Sequence, residues 1–409
     1  MSAERKPRVL LIKPVLPFPP NQGTKVASFG LIKALQRDFD VTVLARILGA
    51  EENEPARELE RWCARVVTVM APNRRSALHR VFYKLYYYLV SILTRRSLKG
   101  LYDCPRPFLR AARELSREGF DLVIVEYWQL RAMLDLFPRE KCILLTHDID
   151  MLVNRKISLL ERNLMRKLQA VRRWLLEQKE EVRAYRAAAH VWALTERDKL
   201  AVESLCRDDT TVEVMPFGLD VDFLLPSGMA RNPGEVLFLG HMGALFNRDA
   251  LDYFVRKIHP LMDELEGLSI TIVGGNLPKE LEFFALQPEV EVVGTVADVR
   301  PYLHRAACLV IPLRFGGGLR IRILEAMSAG VPIVCSAAAI AGMPFEAGRE
   351  FLVAETPAEY AAQVGRVLAD GETGARLSEA ALAKVRSAYG VEAQAARVVE
   401  MVRHRITAS

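Results

Sequence analysis

The chain has 409 residues, 51% hydrophobic and 26% charged, a globular rather than disordered composition, too long for one ordinary core and sized for two domains. A formal charge of +6 and a pI near 9.0 suit phosphate-bearing ligands or an anionic membrane surface and give no ground for nucleic acid as a partner. Six dispersed cysteines (Cys63, Cys104, Cys142, Cys206, Cys308 and Cys335) form no C-x-x-C pair, and the seven histidines form no H-x-x-x-H. Neither a disulfide framework nor a zinc site is expected, and a reducing cytoplasm is the simple setting.

Short β-branched runs alternate with helical patterns from end to end. In the first half the predicted strands are 9–12, 41–44, 66–69, 122–125, 143–146, 190–193 and 212–214. The first of these stops at Lys13, too short for a signal peptide. In the second half they are 236–239, 270–273, 290–293, 308–311, 333–335 and 351–353. Fully apolar strands separated by helix-length spacers predict parallel sheets covered on both faces, with ligands beyond the carboxyl ends of the strands. The stretch 223–235, FLLPSGMARNPGE, lacks periodicity and holds two prolines and two glycines. It reads as the linker between a first domain (1–222) and a second (236–390), with 391–409 a final helix free to pack back on the first domain. No segment approaches the ~20 apolar residues of a membrane span.

One region breaks the rhythm. Residues 74–110 contain nine Lys or Arg and one acidic residue, Asp103, around the run FYKLYYYLVSIL. Aromatic residues with basic flanks (Arg80, Lys84, Arg95, Arg96) suit the interface of an anionic leaflet, and equally a core-facing helix with a solvated basic side. Both readings stay open. A second basic helix is expected at roughly 154–186, with ten Lys or Arg against four Glu.

The most informative segment is 312–336, PLRFGGGLRIRILEAMSAGVPIVCS. Three glycines between a strand and a helix let backbone amides approach a diphosphate, and the helix N-terminus favours its charge. Arg322 and Glu325 lie three apart and share one helix face. A cation there can hold phosphate, and a carboxylate can accept from ribose hydroxyls.

The run GGGLRIRILEAMSAGVPIV closely resembles the donor-binding signature of glycosyltransferase family 4, in the branch that reads GGGTRLKILEAMAAGxPVV. The resemblance extends to LFLGHMGALFNRDALDYF, VEVVGTVADVRPYLHRAACLVIPL and VEVMPFGLDVDFL, and more loosely to the N-terminal PVLPFPPNQGTKVASFGLIKAL. It implies a GT-B α/β fold of two doubly wound Rossmann-like domains with an interdomain cleft, and a retaining transfer from a nucleotide-sugar donor to an acceptor hydroxyl, in glycan, exopolysaccharide or glycolipid assembly. Carried over, it assigns Glu325 to the donor ribose, Gly316, Gly317 and Gly318 to the sugar and diphosphate, and Arg320 and Arg322 to the departing phosphates. Gly240 would sit beside the phosphates, Thr295 and Val296 near the base, Gly23 near the diphosphate or acceptor, and His147 beside the reacting sugar as the catalytic candidate. A lone histidine past a strand end is as often structural as functional.

Departures accompany these matches. The family's Glu-x7-Glu pair has Gly317 at its first position, and His241 and Asn247 replace an expected Arg and Lys. Arg248, Arg320 and Arg322 are the available compensation. The D-x-D triplets Asp148-Ile149-Asp150 and Asp220-Val221-Asp222 bring in a metal-dependent GT-A transferase as a rival. No cofactor and no metal are expected, and the setting implied is cytoplasmic, peripheral on the inner face of the plasma membrane if the basic aromatic region binds lipid. A nucleotide-sugar epimerase, a non-catalytic nucleotide-sugar binder and a membrane scaffold are the other classes.

Overall fold

The computed structural model describes residues 5–20, 23–71, 77–161, 163–225, 230–296, 298–316 and 318–408. It forms two compact units, one of Met1–Gly218, Gly317–Leu319 and Gln394–Ser409, the other of Leu219–Gly316 and Arg320–Ala393.

The first unit is a seven-stranded parallel sheet of β1 (Arg8–Lys13), β2 (Asp40–Ile47), β3 (Arg65–Met70), β4 (Leu122–Glu126), β5 (Cys142–Leu145), β6 (His190–Ala193) and β7 (Thr211–Val214). The order is β3-β2-β1-β4-β5-β6-β7. Alternate residues of β1 enter opposite cores, Val9 and Leu11 on one face, Leu10 and Ile12 on the other. That two-sided burial is why the strands are continuous apolar runs rather than alternating ones. Chain order reverses between β1 and β4. There Ile12 pairs with Val125, so the strands end side by side on Lys13 and Glu126. The helix Val391–Ala408 supplies Val398 and Val402 to the first core, and Arg405 pairs with Glu213 at 2.6 Å.

The second unit has six parallel strands, β8 (Asn232–Leu239), β9 (Ser269–Val273), β10 (Val290–Gly294), β11 (Ala306–Ile311), β12 (Ile333–Cys335) and β13 (Leu352–Val353), ordered β10-β9-β8-β11-β12-β13. Its reversal falls between β8 and β11. All thirteen predicted strands are present.

Two local expectations differ from the structure. The chain first passes between units after Gly218, and β8 begins at Asn232 inside the stretch 223–235. The start of β8 is held by Asn232 pairing with Ala306 and by the guanidinium of Arg231, which donates to the carbonyls of Ala306 and Gly330 at 2.7 Å each. The expected basic helix at 154–186 is two helices, Asp150–Leu160 and Leu164–Ala187. Asn163 starts the second by accepting the Arg166 amide on its side chain, a capping role that favours a break over continuation.

Candidate functional site

Both switch points carry polar side chains at the carboxyl ends of the strands, where doubly wound sheets bind ligands. After β11 the glycine loop leads into the helix Ile321–Ser328 of the second unit. That helix stops where the sequence predicts. Gly330 takes φ +67, Val331 N–H donates to the Ala326 carbonyl and Gly330 N–H to that of Met327, the Schellman closure. Gly316 has φ +149 and Gly318 φ +68, conformations that side chains rarely adopt. A Cβ on Gly316 would stand 1.9 Å from Arg320 Nη2, so only glycine lets Arg320 fold back over the loop, where its guanidinium lies 4.8 Å from the Phe246 ring centroid. Gly317 lies outside the described residues.

Arg322 reaches to the end of β8 and donates to the Leu239 carbonyl at 2.8 Å. A Cβ on the adjacent Gly240 would collide with Arg322 Nη1 at 2.6 Å, so that close approach requires glycine. Burial, with Arg320 nearby, lowers Arg322 to about 10, against the pull of Glu325. Burial also raises Glu325 to about 7, with Arg322 opposing. Among the described residues the Glu325 carboxylate makes no hydrogen bond or ion pair, and the charge that acts on it is that of Arg322 on the same helix, so its oxygens keep acceptor capacity.

Asn247 is buried and donates its side-chain amide to the His241 carbonyl at 2.9 Å, while its Oδ1 is buried with no hydrogen-bond partner among the described residues. It therefore shapes the 240–243 turn. Arg248 and Thr295 are exposed and Val296 is half-buried. The sequence reading missed the Gly274-Gly275-Asn276 turn after β9. Gly274 has φ +143 and packs so closely that a Cβ would lie 1.9 Å from the Gly240 carbonyl oxygen. Asn276 has φ +63 and its Nδ2 lies 3.0 Å from His241 Nε2. Two glycines straight after a strand were the signal that pointed to it.

In the first unit His147 follows β5, as expected, but it is not alone. Its Nε2 lies 2.7 Å from Glu126 Oε2. The same oxygen is 2.6 Å from Lys13 Nζ and 2.7 Å from Ser28 Oγ. Lys13 and Glu126 have fully buried side chains. Burial opposes ionisation of Glu126, yet Lys13 and His147 together pull its carboxyl down to about 2. Gly23 opens the neighbouring helix Gly23–Leu35, whose Thr24 carbonyl accepts from Lys13 at 3.0 Å.

Three aspartates of the D-x-D triplets make local contacts. Asp150 Oδ2 accepts from Trp128 Nε1 at 2.7 Å and pairs with Lys99. Asp220 caps the helix Val221–Leu224, and Asp222 pairs with Arg386 at 3.2 Å. Among the described residues no group of three or more His, Cys, Asp or Glu is placed to hold a metal ion.

Residues 233–370 match the family model described as Glycosyl transferases group 1. The matched segment lies from the start of β8 onward and spans 138 of the 409 residues. The fold over both units is GT-B, as similarity to solved structures establishes. Sucrose-phosphate synthase from Thermosynechococcus elongatus has a TM-score of 0.74 at 16% identity, over 99% of this chain and 100% of that one. HepE from Anabaena, in complex with UDP and glucose, has a TM-score of 0.66 at 15% identity, over 98% and 99%. A single-residue mutant of S. aureus TarM, in complex with Fondaparinux, alpha-GlcNAc-glycerol and UDP, has a TM-score of 0.69 at 11% identity, over 98% and 99%. A sequence comparison with curated proteins found no match.

Proposed function

We propose that the protein is a retaining, metal-independent glycosyltransferase that moves a sugar from a nucleotide-sugar donor to an acceptor hydroxyl in glycan, exopolysaccharide or glycolipid assembly. The carrying observation is Glu325, held close to Arg322 in the matched segment with its carboxylate unengaged at the β8–β11 switch point. In this reading Glu325 binds the donor ribose, while Gly316–Gly318, Arg320 and Arg322 face the diphosphate. Gly240, Asn247 and Arg248 support the phosphate side, Thr295 and Val296 the base, and Gly23 the diphosphate or acceptor. His147 acts beside the reacting sugar. Fixed amides and arginines stabilise a departing nucleoside diphosphate without a metal.

A panel of nucleotide sugars tests it, beginning with UDP-linked donors because HepE and TarM were solved with UDP. Transfer or donor hydrolysis supports the enzyme, with the anomeric configuration of the product, read by NMR, deciding retention. Binding without turnover makes the protein a nucleotide-sugar binder instead. Activity is expected to persist in excess EDTA. Loss restored by Mn²⁺ or Mg²⁺ would overturn metal independence.

The same proposal places the acceptor side at an anionic membrane. The helix Ala77–Thr94 leaves Phe82, Leu85, Tyr86, Leu89 and Leu93 more than half exposed, with Lys84 and Arg95 exposed beside them. Tyr87 and Tyr102 stack at 5.0 Å, which anchors the opposite side of the helix to the unit. No helix among the described residues is long and apolar enough to cross a membrane, so the contact proposed is peripheral. Each Lys or Arg near anionic lipid is worth roughly 1 kcal/mol. Co-sedimentation with phosphatidylserine vesicles should be salt-sensitive and fall when Arg80, Lys84, Arg95 and Arg96 are replaced together. Equal binding to neutral vesicles would overturn the electrostatic part, and no binding at low salt the whole of it.

A further inference from the structure

The buried cluster at the β1–β4 switch point contains more than a catalytic candidate. We propose that Glu126, seated by Lys13 and Ser28, is a positioning residue that holds His147 as a neutral imidazole with its proton on Nε2, leaving the Nδ1 lone pair to accept from a hydroxyl of the reacting sugar or acceptor. The hydroxyl partner rests on the glycosyltransferase proposal above; the state of the ring does not.

The chemistry of the donors settles the direction of the bond. An ionised carboxylate only accepts, so at 2.7 Å from Glu126 Oε2 the Nε2 atom of His147 must carry the proton. No hydrogen bond engages Nδ1 among the described residues. Lys13 makes this arrangement stable. A lone buried carboxylate would draw a proton onto the imidazole, but the ammonium at 2.6 Å already balances it. Ser28 accepts from Lys13 at 2.5 Å and lies 2.7 Å from the same carboxylate oxygen. Burial of the ring further disfavours an imidazolium.

The ring is also held in plane. Tyr127 stacks on it with centroids 4.7 Å apart and planes at 23°. To do so Tyr127 adopts φ +74, a region costly for a bulky residue, and its amide is fixed by the Leu145 carbonyl at 2.9 Å. Among the described residues the titratable groups around His147 are Glu126 from β4, Lys13 from β1, the Tyr127 phenol and the chain neighbour Asp148. Carboxylate control of an imidazole tautomer is a known catalytic device whose loss leaves geometry intact but the wrong nitrogen protonated.

Long-range ¹H–¹⁵N spectra of the full-length protein test the ring directly, with His147→Gln identifying its signals. The wild-type pattern should be that of an Nε2-protonated neutral imidazole across about pH 5.5 to 8.5, with Lys13→Met bringing protonation into that window. An ordinary titration near 6.5, or an Nδ1-protonated ring, overturns the proposal whether or not the protein is an enzyme. On the donor identified by the panel, Glu126→Gln should lower kcat tenfold or more with donor KM unchanged, and should add nothing to the loss in His147→Ala. Independent, multiplying losses overturn action through His147. Absence of wild-type turnover with the predicted spectra overturns the glycosyltransferase reading and leaves the positioning of the ring standing.

Discussion

Replacing Lys13 by methionine is expected to destabilise the protein by about 3–5 kcal/mol, the range for breaking a buried ion pair by removing one partner. Both side chains of the Lys13–Glu126 pair have no solvent exposure, so water cannot replace the lost ammonium. Among the described residues Glu126 would keep only Ser28 and His147, and Glu126 Oε1 already lacks a hydrogen-bond partner there. The loss should shrink as pH falls and His147 takes up a proton, since a cation near Glu126 is what the variant lacks. The double variant Lys13→Met/Glu126→Leu removes both charges and should recover most of the loss, because replacing a whole buried pair by apolar groups is often neutral or better. Urea unfolding midpoints measure all three. A single-variant loss under about 1 kcal/mol, the worth of an exposed pair, would mean that water reaches the site. In the wild type the sign for Glu126 is that of a depressed carboxyl. Its contribution is complete above the ordinary value of 4.5 and is lost as pH falls through about 2.

The second large effect concerns Glu325. Glu325→Ala should weaken donor binding by about ten- to a hundredfold, because a hydrogen bond to a charged group contributes roughly 1.5–3 kcal/mol. Its carboxyl sits at about 7 in the free protein because burial disfavours the charge. If ribose hydroxyls bind the ionised form, donor affinity should fall as pH drops below 7, and this slope should vanish in Glu325→Ala. The stability trend runs in the opposite direction. A raised carboxyl pKa means that the folded state holds the proton more tightly, so its contribution declines as pH rises from about 4.5 to about 7. Arg322→Ala should weaken nucleoside diphosphate more than free nucleoside, with some loss of stability from the freed Leu239 carbonyl. Calorimetric titration of the folded variants with the donor decides it. Wild-type affinity in Glu325→Ala would sink the donor-site assignment.

The sequence by itself determined the elements and the short-range placement of the candidate donor-side residues. Strands buried on both faces must be continuous apolar runs, which is why all thirteen were legible, and the helix from Ile321 to Ser328 announced its end at Gly330 because the Schellman turn needs φ > 0 there. Arg322 and Glu325 were legible for the same reason, since three residues apart on one helix is a short-range fact. Tertiary structure decided what stands around His147. In sequence Lys13 is only the residue that ends an apolar run, 113 positions from Glu126, which in turn is 21 from His147. No local pattern links them. They meet because β1 pairs with β4 and β4 with β5, an order set by which buried faces and registers fit together across the sheet. The same kind of long-range packing placed Val398 and Val402 in the first unit's core and started β8 at Asn232. Short-range spacing could specify a carboxylate on a helix, but only strand order could bury a lysine, a glutamate and a histidine around one oxygen.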